Sequence, residues 1–299
     1  MPEKPMITVV GCGVSGLTTA IVLQRAGYSV RIVTENLPQE TTSAIAAAIW
    51  FPYQSGPVEA VNRWSRQTYF EFEILAENPA SGVSMVDFLE LVQAKTDAWW
   101  LDALPAGAWR LAQAGELPLG HQLGYFMKVP MVETPIYLPF LLRTFEEAGG
   151  QIHLEKISNF QSFQVQGDTI INCTGLASRE LIGDSRLYPI RGQLIKVASK
   201  SDIPFISADR MPGSDDFEAT YIFPRKDGII LGGTAVANDA GMEWDTILGD
   251  RILARCQELV PELKGLPILS QHIGFRPGRD EIRLEKEGRL IHNFGHGGA

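Results

Sequence analysis

Gly11-Cys12-Gly13-Val14-Ser15-Gly16 sets three glycines at the spacing G-x-G-x-x-G. At this spacing Gly11 permits a tight turn, Gly13 lets the backbone approach a pyrophosphate, and Gly16 lets a helix pack closely on a strand. The helix N-terminus that follows offers unpaired N–H groups to an anion. Glu35, followed by Asn36, comes where an acid would hold a ribose hydroxyl. NAD and FAD both use such a turn. Two later glycine elements, Thr174-Gly175 and Gly295-His296-Gly297-Gly298, each follow an apolar strand. Further backbone approaches of this kind suit the longer cofactor, FAD. Neither cysteines nor histidines show ligand spacing, so no metal site is expected.

The order of elements around the first turn supports this chemistry. Residues 6–10 read as an apolar strand, 17–26 as a helix with Leu17, Ala20, Ile21 and Leu23 inward, and 29–34 as a second strand. Further on, the spacing predicts helices over 63–77 (stripe Trp64, Thr68, Phe72, Leu75), over 135–148 before Gly149-Gly150, and over about 246–260 capped by Asp245. Strands are expected at 84–91, 151–157, 168–173, 193–197, 219–223, 229–231, 268–275, 282–285 and 289–294. Residues 97–130 lack periodicity and read as loops with short strands. Trp99, Trp100 and Trp109 read as core or interface packing.

The fold class is therefore α/β: a Rossmann-like FAD-binding domain interleaved with a β-rich (α+β) substrate-binding domain. The expected division is 1–50, 131–190 and 265–299 for the first, and 51–130 and 191–264 for the second. The chain has 299 residues, 45% of them apolar, which suffices for a substantial core. Its formal net charge of −9 argues against a nucleic-acid or anionic-membrane partner. Three scattered cysteines point to a reducing, cytoplasmic setting. No signal region or membrane-length apolar run is seen.

Beyond single motifs, the sequence resembles the D-amino-acid oxidase family, of the glycine-oxidase and D-aspartate-oxidase superfamily. The matching stretches fall in family order: 9–17, 41–53, Ile170-Ile171-Asn172-Cys173-Thr174-Gly175, Arg191-Gly192-Gln193, Leu231-Gly232-Gly233-Thr234, Gly274-Phe275-Arg276-Pro277 and 292–298. The resemblance implies oxidation of a D-α-amino acid by FAD and O2 to a 2-oxo acid, ammonia and H2O2. It also implies the cofactor set Gly11, Gly13, Val14, Ser15, Gly16, Glu35, Asn36, Thr42, Ser43, Ala47, Ala48, Ile157, Thr174, Gly175, Arg276, Gly295, Gly297 and Gly298, with FAD bound non-covalently.

By the same resemblance Arg276 holds the substrate carboxylate, for which a planar guanidinium is suited. Pro277 is expected to end its strand and leave Arg276 pointing into a cavity. Tyr221 adds a hydroxyl to the carboxylate, and the Gly298 carbonyl accepts from the amine. His296 reads as structural or flavin-adjacent, and Arg279 and Arg283 as surface charges. Ile49, Phe51 and Tyr53 line the side-chain pocket, and Phe217 stands where vertebrate members carry a lid tyrosine. Ile49 and Phe51 favour neutral D-amino acids, while Arg210 keeps an acidic side chain in view. The family pattern continues past His-Gly-Gly into a final helix facing the flavin, whereas this sequence ends at Ala299. A chain lacking that helix is expected to hold FAD more weakly. Alternatives are a glycine-type or D-aspartate-type oxidase or dehydrogenase, or a truncated FAD-binding protein without turnover. A homo-oligomer is compatible with all of them.

Overall fold

The computed structural model describes residues 6–52, 55–95, 98–161, 169–209 and 219–298. Tyr53, Arg210 and Phe217 lie outside the described residues.

The chain opens with β1 (Ile7–Val10), α1 (Val14–Arg25) and β2 (Val30–Thr34). It then forms α2 (Thr42–Ile45), α3 (Val58–Ala76), β3 (Val83–Leu91), β4 (Trp109–Leu111), β5 (Gly124–Val132), α4 (Thr134–Glu147), β6 (Gln151–Leu154) and β7 (Thr169–Asn172). After these come α5 (Ser178–Leu181), β8 (Tyr188–Val197), β9 (Phe205–Ala208), β10 (Thr220–Arg225), β11 (Gly228–Gly232) and β12 (Val236–Ala237). The last elements are α6 (Thr246–Leu259), β13 (Ile268–Gly278), β14 (Arg283–Glu287) and β15 (Leu290–Phe294). No described helix is long and apolar enough to cross a membrane.

Two sheets result. A six-stranded sheet runs β14-β15-β7-β1-β2-β6 and is parallel except at β14. Val9 and Ile32 pack there against Leu17 of α1 and Phe145 of α4, all fully buried. A nine-stranded sheet runs β12-β8-β11-β10-β9-β3-β5-β4, with β13 beside β8. Alternation along β10 and β11 sorts its two faces. Ile222 and Leu231 face Ile252 and Cys256 of α6, while Tyr221 and Phe223 face the other way. Asp245 caps α6 by accepting from the Leu248 N–H at 3.1 Å.

Several elements differ from the sequence reading. β13 joins the nine-stranded sheet, although residues 265–299 read as part of the nucleotide unit. Its strand also runs two residues past Arg276, through Pro277 and Gly278. Among the described residues β13 pairs with β8 alone, and an edge strand tolerates a proline. Helix α3 starts at Val58, after Pro57, and its buried residues are Val61 and Tyr69 in place of the Trp64/Thr68 stripe. Overlapping the end of 97–130, β5 is a regular nine-residue strand. Apart from Lys128 its residues are apolar on both faces, which weakens the polar/apolar alternation that would have revealed it. Trp100 is buried as expected, but Trp109 is 40% exposed on β4.

Arg279 and Arg283 are not surface charges. Arg279 is buried, and the Asp184 carboxylate lies 3.3 Å from its Nε and 3.1 Å from Arg283 Nη1. Burial alone would raise the Asp184 carboxyl; the two guanidinium groups outweigh it and hold it below its ordinary value. A carboxyl depressed in the fold contributes stability that is complete above its unfolded value and lost as pH falls through the folded one. The melting temperature is therefore expected to drop as pH goes below about 4. Asp184→Asn should melt lower at neutral pH and show a shallower acid decline. Parallel acid declines in the two proteins would remove Asp184 from this account.

Candidate active site

The glycine turn sits where β1 hands over to α1. Gly11 has φ +103° and donates its N–H to the Val33 carbonyl at 2.9 Å. A Cβ at Gly11 would lie 2.5 Å from the Cys173 carbonyl oxygen, so the chain here is wedged between the ends of β2 and β7. A Cβ at Gly16 would lie 1.9 Å from the Gly11 carbonyl oxygen, which is why α1 can start so close to the turn. Gly13 is the N-cap of α1 in extended conformation, and a Cβ there would meet Ser43 Oγ at 3.0 Å. That same Oγ accepts from the Val14 N–H at 3.1 Å, tying α2 to the start of α1.

From this turn a single cleft of about 1810 Å³ runs across the molecule. Gly11, Gly13, Val14 and Ser15 line one end, with Glu35 and Asn36 beside them at the end of β2. Glu35 Oε1 accepts from Lys156 Nζ at 2.7 Å, and both side chains are largely exposed. Thr42, Ser43, Ala47, Ala48, Ile157, Thr174 and Gly175 line the cleft as well. Arg276, Gly297 and Gly298 line the far end. Gly16 and Gly295 stand behind the wall: Gly16 against Gly11, and Gly295 (φ +83°) against the Arg279 stem. A long cleft opening at a helix N-terminus, with glycines where a Cβ would intrude, fits the pyrophosphate and extended body of FAD. Burial pushes the His296 imidazole, which lines the cleft, down to about 4, so it is neutral at physiological pH.

The far end is built on the nine-stranded sheet. Arg276 comes from β13, and its Nη1 donates to the Thr234 carbonyl at 3.0 Å. Gly192, its neighbour on β8, leaves the space: a Cβ there would lie 2.6 Å from Nη1. Tyr221 of β10 lines the same region, its ring lying over the Gly232–Gly233 backbone next to Thr234, the acceptor for Arg276. Burial pushes its hydroxyl up and the guanidinium partly offsets this, so the group remains a neutral donor. Its ring stacks on Phe223 at 4.9 Å between centroids, and Phe223, Phe88 and Phe51 continue the aromatic wall edge-to-face. Ile49 lines the same region.

Sequence reasoning missed Glu90 and Ser207. Glu90 on β3 and Tyr221 on β10 both pair with Ser207 on β9, so all three lie on the cleft face of the sheet. Burial holds the Glu90 carboxyl well above its ordinary value, and the nearby Asp209 carboxylate adds to this. The Ser207 hydroxyl donates to Glu90. The signal available was an acid set between apolar residues near the end of the strand, Phe88-Leu89-Glu90-Leu91.

Comparison with known proteins agrees with this architecture. Residues 6–299 match the family described as FAD dependent oxidoreductase. A protein of Rubrobacter xylanophilus named D-amino-acid oxidase is 39% identical, covering 97% of this chain and 90% of that protein. Human D-aspartate oxidase is 31% identical over 99% of this chain and 90% of its own length. Among solved structures, glycine oxidase from Geobacillus kaustophilus superposes with a TM-score of 0.78 at 16% identity, covering 98% of this chain and 90% of that one. The chain belongs to the FAD dependent oxidoreductase family, and within it to the relatives of the D-amino-acid oxidases.

Proposed function

We propose that the protein oxidises D-α-amino acids, with FAD held non-covalently and O2 as electron acceptor. The net reaction consumes the amino acid, O2 and water, and yields the 2-oxo acid, ammonia and H2O2. The observation that carries this reading is that Arg276 and Tyr221, both seated on the 232–234 stretch, line one cleft together with Gly297 and Gly298. Arg276 and Tyr221 present a guanidinium fork and a neutral O–H donor to one carboxylate. The Gly298 carbonyl would accept from the amine, so that with the carboxylate on Arg276 only the D-enantiomer turns its α-hydrogen to the ring. Bound FAD supplies the two-electron acceptor. The protein's share is orientation and exclusion of water, with no side-chain base required. All three cysteines are free thiols, in keeping with a reducing compartment such as the cytoplasm.

The test is anaerobic mixing of the yellow holoprotein with D-alanine. Bleaching of the flavin, followed by recovery with H2O2 release when air is admitted, is the expected result. A flavin that stays oxidised with every D-amino acid tried would leave a binding protein without turnover. Glycine or sarcosine bleaching faster than D-alanine would favour the glycine-type reading.

Side-chain choice follows from the wall. Phe51, Phe88 and Phe223 are apolar, and Glu90 and Asp209 beside them bring no cation that could pair with a second carboxylate. D-Valine should therefore exceed D-aspartate in kcat/KM by at least about tenfold, since a buried unpaired carboxylate is costly. The reverse order would assign the protein to the D-aspartate branch and implicate Arg210.

A further inference from the structure

The Tyr221 ring has a floor. Tyr221 and Gly232 are register partners on β10 and β11. A Cβ at Gly232 would lie 2.1 Å from the ring's Cζ, and one at Gly233 would lie 2.4 Å from Cε1. The ring thus lies directly on the Gly232–Gly233 backbone. One residue on, the Thr234 carbonyl is the acceptor for Arg276 Nη1 at 3.0 Å. A single short stretch, 232–234, therefore carries one member of the carboxylate clamp and holds the other.

Helix α6 grips that stretch from the opposite face of the sheet. Cys256 Sγ is 3.6 Å from the Tyr221 carbonyl oxygen and 3.7 Å from that of Gly232. Beside it, Arg255 Nη2 donates to the Gly233 carbonyl at 3.1 Å, and its Nε donates to Thr220 Oγ1 at 3.2 Å. One planar guanidinium thus ties the residue before Tyr221 to the residue before Thr234. Arg255 itself does not line the cleft.

We propose that Arg255 is a positioning residue for the substrate carboxylate: it fixes the 232–234 backbone against β10, and so sets the spacing between the Tyr221 hydroxyl and the Arg276 fork. The inference rests on the proposed role of Tyr221 and Arg276. A fork that must match two carboxylate oxygens tolerates little displacement, and a misplacement of about 1 Å can cost on the order of a hundredfold. Lysine cannot replace the planar two-point contact, although it keeps the charge and one donor.

The experiment compares wild type, Arg255→Met, Arg255→Lys and Arg276→Ala, all as FAD-loaded protein. Benzoate is the binding probe. It offers a carboxylate to Arg276 and a ring to the Tyr221/Phe223 wall, and it has no α-hydrogen to lose. Its dissociation constant is read from the shift in flavin absorbance, and kcat and KM for D-alanine are measured separately. Arg255→Met is expected to raise both the benzoate Kd and the KM about tenfold, with kcat changed less and FAD content unaltered. Arg255→Lys should fall between it and wild type. A merely structural arginine would lower FAD content or melting temperature and leave Kd and KM in the loaded fraction within twofold of wild type; that result overturns the proposal. If Arg255→Met does not fold, the Arg255→Lys values decide by the same criterion. Undiminished benzoate binding by Arg276→Ala would instead remove the clamp itself, which separates failure of the underlying reading from failure of this one.

Discussion

Arg276→Ala is expected to keep its yellow colour and lose its turnover. Arg276 sits at the far end of the cleft from the glycine turn, so removing its side chain leaves Gly11, Gly13 and the start of α1 intact. What disappears is a charge-assisted, two-pronged contact, worth on the order of 3–5 kcal/mol when one partner is left alone away from water. That corresponds to a fall of at least about a hundredfold in kcat/KM for D-alanine. The measurement is steady-state oxygen consumption alongside the flavin absorbance of the same sample. A fall of less than about tenfold with normal FAD content means that the carboxylate is held elsewhere.

The second large effect is expected at the opposite end. A methyl group at Gly16 would sit 1.9 Å from the Gly11 carbonyl oxygen and 2.8 Å from its carbon. Both are backbone atoms in the turn, so no side chain can swing aside. Either α1 moves away from β1 or the turn opens, and in both cases the N–H groups aimed at the pyrophosphate are displaced. Gly16→Ala should therefore purify without flavin and fail to take it up from solution. Gly115→Ala is the matched control, because nothing lies within 4 Å of the methyl it would add. It should bind FAD as wild type does. Wild-type FAD affinity in Gly16→Ala would show that the close turn–helix contact is not what the cradle depends on.

The two ends of the site were unequally legible in the sequence. The nucleotide end is local: turn, helix and acid lie within residues 11–35, and each glycine has a steric reason that spacing alone reveals. The substrate end is assembled from β3, β8, β9, β10, β11 and β13, and only register brings Glu90, Ser207, Tyr221 and Arg276 onto one face. Register is a tertiary property, so Arg276 and Tyr221 came from the family resemblance while Glu90 passed unnoticed. Strand β5 was missed because, apart from Lys128, it is apolar on both faces and alternation is weak. Arg279 and Arg283 read as solvated because their partner, Asp184, stands some hundred positions away in sequence. Pro277 read as a stop, where the chain in fact uses it on an edge strand.

The seams between the two sheets bear on how the two ends of the site are spaced. The Gly297 N–H donates to the Pro277 carbonyl at 3.0 Å, and Ser55 Oγ donates to the His296 carbonyl at 2.7 Å. On the other flank, the Arg225 guanidinium at the β10–β11 hairpin reaches Thr134 Oγ1 and the Ala46 carbonyl, both at 3.4 Å, and Glu133 accepts from the Lys226 N–H at 3.0 Å. A hinge needs one side free to part while the other bends. Here both flanks are stitched, and Arg225 and Glu133 are buried. Parting the two sheets would break these contacts on both flanks, so the spacing between the carboxylate fork and the cofactor cradle is set by the same bonds that join the sheets.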